Sequence, residues 1–230
     1  MADGLQTKSV VDAVEEALRH RILVGDEPPG EVVTEIAVAS RFRVGRPTAK
    51  AAVDRLVADG LLVREGRRGS VVPTVGPDDI VDLYDSRCVI ERFAHARLAE
   101  RAYVPSEATL ANVSLRHAAS VEDAALAIAS DVALHRALVV ADGSPRLQRM
   151  HSSLLAEAHV CMARVQANQL LRADVIADEH DEILRCIGAG DVAGAALATD
   201  RHLTHARDKL RALLDERARE NPARDTAPDR

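Results

Sequence analysis

Aromatic residues are almost missing from this chain, which has two Phe, two Tyr and no Trp in 230 residues. A core without large rings has to be built from Ala, Val, Leu and Ile, and this favours packed helices over a β-sandwich. Cysteine is also scarce: Cys88, Cys161 and Cys186 are odd in number and far apart. Their spacing excludes a zinc ribbon and a disulfide framework, so we expect reduced thiols buried as small core residues.

Long apolar runs and catalytic signatures are missing as well. No run approaches the ~20 residues that cross a membrane, and the first residues, MADGLQTKSVVDAVEE, lack the order of a secretion signal. The chain contains no HExxH motif, no nucleophile elbow and no Gly-rich phosphate loop. These absences predict a cytoplasmic protein without a membrane partner and without catalytic residues.

A local reversal of charge is the most informative feature that is present. The net charge of the chain is -6, yet residues 36–50 contain no acid and four cations. These cations are Arg41, Arg43, Arg46 and Lys50. Residues 1–75 are balanced in charge, so the later residues carry the whole negative excess. A basic helix start suits a phosphate backbone and a major groove, although a solvated helix face would give a similar pattern.

The pattern around this basic segment predicts a winged helix-turn-helix. Ser9 caps a first helix that ends at Gly25, and Thr34 caps a short second helix whose inward residues are Ile36, Ala37 and Ala39. The third helix has Pro47 in its first turn and buries Ala49, Ala52, Val53 and Leu56. The second helix, the third helix and two short strands are expected at 34–42, 46–59, 61–63 and 70–72.

Residues 9–73 resemble the GntR family of bacterial transcription regulators. The matching pieces are GDEPPG at 25–30, GRPTAK at 45–50, DGLL at 59–62 and the glycine-containing wing. The resemblance implies that the third helix enters the major groove of an operator and that Arg46 reads a base. It also places Lys50 where the family more often has arginine. The other positions that it implies for backbone or groove contact are Arg41, Thr48, Arg67, Arg68 and Gly69.

The rest of the chain is expected to form an all-α bundle of six helices. After a linker with Pro73, Gly76 and Pro77, helical segments are predicted near 79–103, 106–118, 121–141, 144–168, 172–188 and 191–217. The predicted fold is therefore mainly α, with a winged helix-turn-helix domain at 1–74. A helical domain that binds a metal and an effector follows at 78–217, and a disordered tail at 218–230.

Four polar residues stand out in the apolar background of the predicted bundle. Asp131 and His135 are four residues apart and share one helix face. His180 and His202 are equidistant from the turn at 188–191, so antiparallel helices should bring them together. One carboxylate and three imidazoles suit a divalent transition metal. Helix capping or hydrogen bonding between helices is the alternative.

The same four residues resemble the metal-binding type of the ligand-binding domain found in the fatty-acid-regulator (FCD) branch of GntR proteins. The resemblance implies that Asp131, His135, His180 and His202 bind zinc, or else nickel or manganese. It further implies that Arg87 meets the carboxylate of an effector, whereas a salt bridge to Glu91 is the alternative for that arginine. The other histidines are expected in surface or packing roles; they are His95, His117, His151, His159 and His205.

The combined interpretation is a homodimeric transcriptional repressor with a palindromic operator. A small carboxylate metabolite, bound at the metal, would control its affinity for DNA. Two alternatives stay open at this point. The helical domain could be a metal-dependent enzyme acting on a small carboxylate, or its metal could be purely structural.

Overall fold

A computed structural model describes residues 9–66, 69–166 and 172–220. The chain divides into two compact units, Met1–Thr74 and Val75–Arg230. The elements of the first unit are α1 (Val10–Val24), β1 (Val32–Val33), α2 (Glu35–Phe42), α3 (Arg46–Ala58), β2 (Val63–Arg64) and β3 (Ser70–Val71). Those of the second are α4 (Pro77–Glu100), α5 (Ser106–Ser120), α6 (Ala124–Asp142), α7 (Pro145–Gln166), α8 (Ala173–Gly188) and α9 (Val192–Glu220).

Local signals set both ends of α1. The Ser9 hydroxyl accepts a hydrogen bond from the backbone N–H of Asp12 at 3.2 Å, and the Asp12 carboxylate accepts from the Ser9 N–H at 2.9 Å. This capping box satisfies two donors that a helix start leaves free. Gly25 ends the helix with a φ of 85°, a conformation that glycine adopts without a steric penalty. The predicted cap and stop of this helix are confirmed.

The inward face predicted for α2 is wrong. Thr34 caps the helix as expected, but Val38 is its buried residue and Ile36 is 61% exposed. Ala37 is exposed and Ala39 is only partly covered. Ile36 and Val38 lie about 200° apart around a helix, and the apolar run IAVA contains no polar residue that marks the outer side. The buried face predicted for α3, in contrast, is confirmed in all four positions.

A small antiparallel sheet completes the first unit. Its order is β1-β3-β2, with Val32 opposite Val71 and Val63 opposite the same residue. The sequence did not predict β1, because two residues are too few to show alternation. It also placed Leu61 and Leu62 in a strand, whereas both precede β2 and are buried. The backbone N–H groups of both residues donate to the Leu56 carbonyl at the end of α3, so this segment continues the helix end instead of joining the sheet.

The six helices of the second unit follow the predicted order, with shifted ends. An α6 start near residue 121 was expected, but Asp123 caps the helix at Ala124 and its side chain accepts from the Leu126 N–H at 2.9 Å. The last helix, α9, continues to Glu220, past the boundary at residue 217 where the tail was placed. The remaining tail residues, 221–230, lie outside the described ranges.

The core of the second unit is aliphatic, as the composition requires. One buried cluster includes Ile80, Leu155 and Leu203, and a second includes Leu98, Leu134 and Ile183. Within the described residues, one helix, α6, has the length and apolar composition to cross a membrane, but half of that stretch is buried inside the bundle. This helix packs against α4, α5 and α7 within the bundle.

Candidate metal centre and DNA-binding surface

The four polar residues predicted to converge do so in the structure. Asp131 and His135 project from α6, His180 from α8 and His202 from α9, and all four are buried. One ligand atom from each residue lies within 4.8 Å of the others. The helical spacing and the symmetric turn had predicted each pair, and the family resemblance had placed the two pairs in one site.

The three imidazoles meet through the same ring atom. The Nε2 atom of His202 lies 3.3 Å from that of His180 and 3.2 Å from that of His135. The Asp131 carboxylate is 3.4 Å from His180 Nε2 and 3.7 Å from His135 Nε2. Tetrahedral zinc with Zn–N bonds of ~2.0–2.1 Å holds its ligand nitrogens about 3.3 Å apart. The donor types and their spacing fit a divalent transition metal.

A buried carboxylate that the sequence did not nominate orients one of these imidazoles. Glu91 on α4 accepts a hydrogen bond from His135 Nδ1 at 2.6 Å and contacts His151 Nε2 at 3.0 Å. It also accepts from Arg87 Nε at 2.9 Å. With Nδ1 as donor, the His135 ring presents Nε2 to the cluster, which is the usual arrangement of a metal-ligating histidine. The sequence noted Glu91 only as a partner of Arg87.

Glu179 orients a second imidazole of the cluster, that of His202. Its two carboxylate oxygens accept from His202 Nδ1 at 2.8 Å and from His205 Nδ1 at 2.5 Å. His202 precedes His205 by three residues, so both rings lie on one face of α9. His205, which was expected in a surface or packing role, therefore belongs to the hydrogen-bonded surroundings of the cluster. His180 Nδ1 is buried and has no hydrogen-bond partner among the described residues.

The electrostatics of the cluster favour charged carboxylates. Burial alone would raise the pKa of Glu91, but Arg87 and His135 more than offset this and hold it well below its usual range. Burial would likewise raise the pKa of Asp131, and the surrounding imidazoles lower it. Burial would lower the pKa of His135, yet Glu91 and Asp131 raise it to about 9. Burial and His202 both keep the pKa of His180 well below its usual value. The carboxylates of Asp131 and Glu91 are thus charged and balanced by Arg87 and a protonated His135, and a metal bound at His135 Nε2 would displace that proton.

A narrow cavity opens from the cluster. Its volume is about 20 Å³, room for one water-sized group, and Arg87, Asp131, His135 and His202 contribute to its wall. Arg87 is only 1% exposed and forms the salt bridge to Glu91 that was its alternative role. That contact uses Nε alone, and Nη2 is buried without a partner among the described residues. The guanidinium also lies over the Tyr84 ring, with its central carbon 4.8 Å from the ring centroid.

The basic residues of the first unit differ in whether they already form ion pairs within the protein. Arg46 is the first residue of α3, is exposed, and has no ion pair within the described part of the chain. Lys50 contacts Asp54 at 2.6 Å, and Arg41 contacts the buried Glu27. Thr48, on the same turn as Arg46, is partly buried.

The wing of the first unit is only partly described. Gly69 has a φ of 118°, and a Cβ added there would lie 3.3 Å from the Val33 carbonyl oxygen, so glycine is required at this point. The need for glycine at this position does not test the predicted contact of Gly69 with a DNA groove. Arg67 and Arg68 lie outside the described residues.

The first unit has three helices, of which α2 and α3 form a helix-turn-helix, and a β-hairpin wing follows them in the chain. This arrangement defines a DNA-binding regulator that carries a second, helical domain. Comparison with protein families agrees: residues 10–72 match the model for bacterial regulatory proteins of the gntR family, and residues 82–205 match the FCD domain. The chain belongs to the GntR family of transcriptional regulators, in its FCD branch.

Individual relatives support this assignment. The chain is 28% identical to the HTH-type transcriptional repressor NanR of Klebsiella aerogenes over 91% of this chain and 88% of that one. It is 24% identical to the gluconate operon transcriptional repressor of Bacillus subtilis over 85% and 83%, respectively. A solved GntR regulator from Rhodococcus sp. RHA1 has the same fold, with a TM-score of 0.74, 23% identity and coverage of 88% and 98%. The family and these relatives are transcriptional regulators and not enzymes, which removes the enzyme alternative.

Proposed function

We propose that this protein is a metal-dependent, carboxylate-responsive repressor. Two observations carry the proposal: Arg87 lines the same cavity as the metal-type donors, and its buried Nη2 atom has no hydrogen-bond partner among the described residues. A buried charged donor without a partner is costly, and a carboxylate ligand would satisfy it with a charge-assisted hydrogen bond. Repression agrees with the names of the two relatives described above.

In this proposal Asp131, His135, His180 and His202 hold the metal, and zinc fits their donor set best, with nickel and manganese as alternatives. When bound, the metal supplies a Lewis-acidic centre for an oxygen of the effector. Arg87 takes the other side of the same carboxylate, and Glu91 fixes the orientation of both Arg87 and His135. A metal with only a structural role would leave the Arg87 nitrogen unsatisfied.

The DNA-binding role is assigned to the first unit. In this proposal Arg46, the first residue of α3, reads a base edge, and the operator groove or backbone is contacted by Lys50, Thr48 and Arg41. Arg67, Arg68 and Gly69 of the wing complete the proposed set. The protein acts in the cytoplasm as a homodimer on a palindromic operator, and the effector shifts the populations of forms that differ in operator affinity.

Selection of bound duplexes from a random library would supply an operator, and mobility-shift titration would then test the response. The zinc-loaded protein should bind the selected duplex more tightly than a scrambled one. Small carboxylates should change that affinity, and they should fail to do so after the metal is removed with a chelator. Absence of sequence selection would contradict the regulator assignment of the first unit, whereas selection without any carboxylate effect would contradict the proposed sensor.

A further inference from the structure

The cavity beside the metal-type cluster has a second polar end. Lys209 lies on α9 seven residues after His202, and both side chains line the cavity. At 1.5 Å per residue these two positions are about 10 Å apart along the helix axis. Lys209 is partly buried and has no ion pair or hydrogen bond within the described residues. A half-buried cation without an acid is therefore present at the end away from the metal donors.

Other charges around the cavity are neutralised within the protein. Glu179 is held by His202 and His205, and Arg87 is held on one side by Glu91. Arg172 also lines the cavity, but Asp174 takes its guanidinium through Nε and Nη2. Lys209 differs from each of them in having no such partner.

A third donor lies between the two ends. The hydroxyl of Tyr84 is buried and has no hydrogen-bond partner among the described residues, and Tyr84 lines the same cavity. Helices α4 and α9 are antiparallel, as the contacts of Cys88 with Asp200 and of Asp85 with Arg207 show. Tyr84 therefore lies one turn from Arg87 in the direction of Lys209. The donors follow one another along the cavity from the cluster to the lysine.

We infer that the effector is a two-ended dianion: one carboxylate binds at the metal and Arg87, and a second anionic group binds Lys209. Tyr84, whose ring centroid lies 4.8 Å from the Arg87 guanidinium carbon, donates a hydrogen bond to an oxygen of the first carboxylate. This inference rests on the proposed carboxylate sensor and adds the class of its ligand. The cavity holds only one water-sized group in its present form, so the long side chains of its wall, among them Met162 and Lys209, must move when such a ligand enters.

Calorimetric titration of the zinc-loaded, full-length protein tests this inference with pairs of acids of equal chain length. The pairs are succinate with butyrate, glutarate with valerate, and adipate with hexanoate. In each pair only the second carboxylate differs. For the chain length that binds best, the dicarboxylate should bind at least tenfold more tightly, because a hydrogen bond to a charged partner contributes about that much.

Lys209→Met keeps most of the length of the side chain and removes its charge, so it should bring the affinity ratio of the best pair close to one. Arg211→Met is the matched control: it removes a cation from the same helix, and Arg211 faces Asp78 and Asp215 instead of the cavity. That variant should keep the ratio of the wild type. Tyr84→Phe should weaken both acids of a pair by a few fold and leave their ratio unchanged.

The outcomes separate this inference from the proposed function. If monocarboxylates bind as tightly as their dicarboxylate partners, or if Lys209→Met keeps the ratio, the two-ended ligand is wrong and the carboxylate sensor stands. If neither kind of acid binds the zinc-loaded wild type, both are wrong.

Discussion

Replacing His202 by Ala removes the residue on which the cluster is centred. Its Nε2 atom lies within 3.3 Å of the corresponding atoms of His180 and His135. The side chain is 4% exposed, so the truncation leaves a small internal space and no new surface charge. We expect the variant to fold and to lose most of its affinity for zinc.

The size of the effect follows from mass action. A ligand present at a hundred times its dissociation constant stabilises the folded state by ~2.7 kcal/mol. For a protein of this length, 1 kcal/mol shifts the melting temperature by roughly 2–4 °C, so zinc should raise it by about 5–10 °C. Loss of one ligand in four should exceed the ~10–100-fold effect of changes around the ligands. A hundredfold loss at the same zinc concentration leaves a shift of only about 1 °C.

The assay is a pair of thermal unfolding scans, with and without zinc, for each variant. Comparing the two scans of one variant cancels any effect of the substitution on the metal-free protein. His205→Ala is the matched control, because His205 lies one turn along α9 and shares Glu179 with His202 but is not among the four converging residues. It should keep most of the zinc-dependent shift. Elemental analysis of each purified protein gives the metal content directly.

One result would refute the reasoning outright. If zinc, nickel and manganese all leave the melting temperature of the wild type within about 1 °C of its metal-free value, there is no metal site. The four residues would then be a hydrogen-bonded contact between helices. An equal loss of the shift in His205→Ala and His202→Ala would instead show that Glu179, and not the Nε2 cluster, controls the metal.

Three further changes test separate parts of the structure. Arg46→Ala should reduce discrimination between operator and scrambled DNA by about 1–3 kcal/mol in a mobility-shift titration at fixed salt, whereas Arg43→Ala, in the preceding turn, should preserve it; unchanged specificity in the first variant would exclude Arg46 from base reading. Glu91→Gln should lower zinc affinity about 10–100-fold in a chelator competition, because the amide cannot accept from both histidines and Arg87; an unaltered affinity would show that His135 does not need this partner. Ser9→Ala should cost ~1 kcal/mol in urea unfolding of the first unit, since it removes the α1 cap, and an unchanged midpoint would mean that this helix end is frayed in solution.

The sequence predicted what depends on spacing along one or two helices. Asp131 and His135 are one helical turn apart, and His180 and His202 are symmetric about a short turn, so simple geometry brought each pair together. The buried face of α3 could be predicted equally well, because polar residues mark its outer side. In α2 the apolar run IAVA offers no such contrast, and the predicted face was rotated away from Val38.

Contacts between segments that are far apart in the sequence could not be predicted in this way. Glu91 meets His151 and His135 across 60 and 44 residues, and Glu179 meets His202 across 23. Carboxylates are common on helix surfaces, so their composition and spacing do not reveal that these two are turned inward. Only the packing of α4 against the other helices of the bundle identifies Glu91 as the partner of a cluster imidazole.

The same packing makes Glu91 a shared partner of Arg87 and of a cluster imidazole. Its carboxylate is fully buried, and such a group needs partners that offset the loss of water. It finds them in Arg87, whose Nη2 has no hydrogen-bond partner among the described residues, and in His135, which belongs to the metal-type cluster. A change in the position of either partner therefore alters the hydrogen bonding of the other. If the metal and the effector bind as proposed, this shared carboxylate provides a direct physical route by which each can affect the affinity of the other.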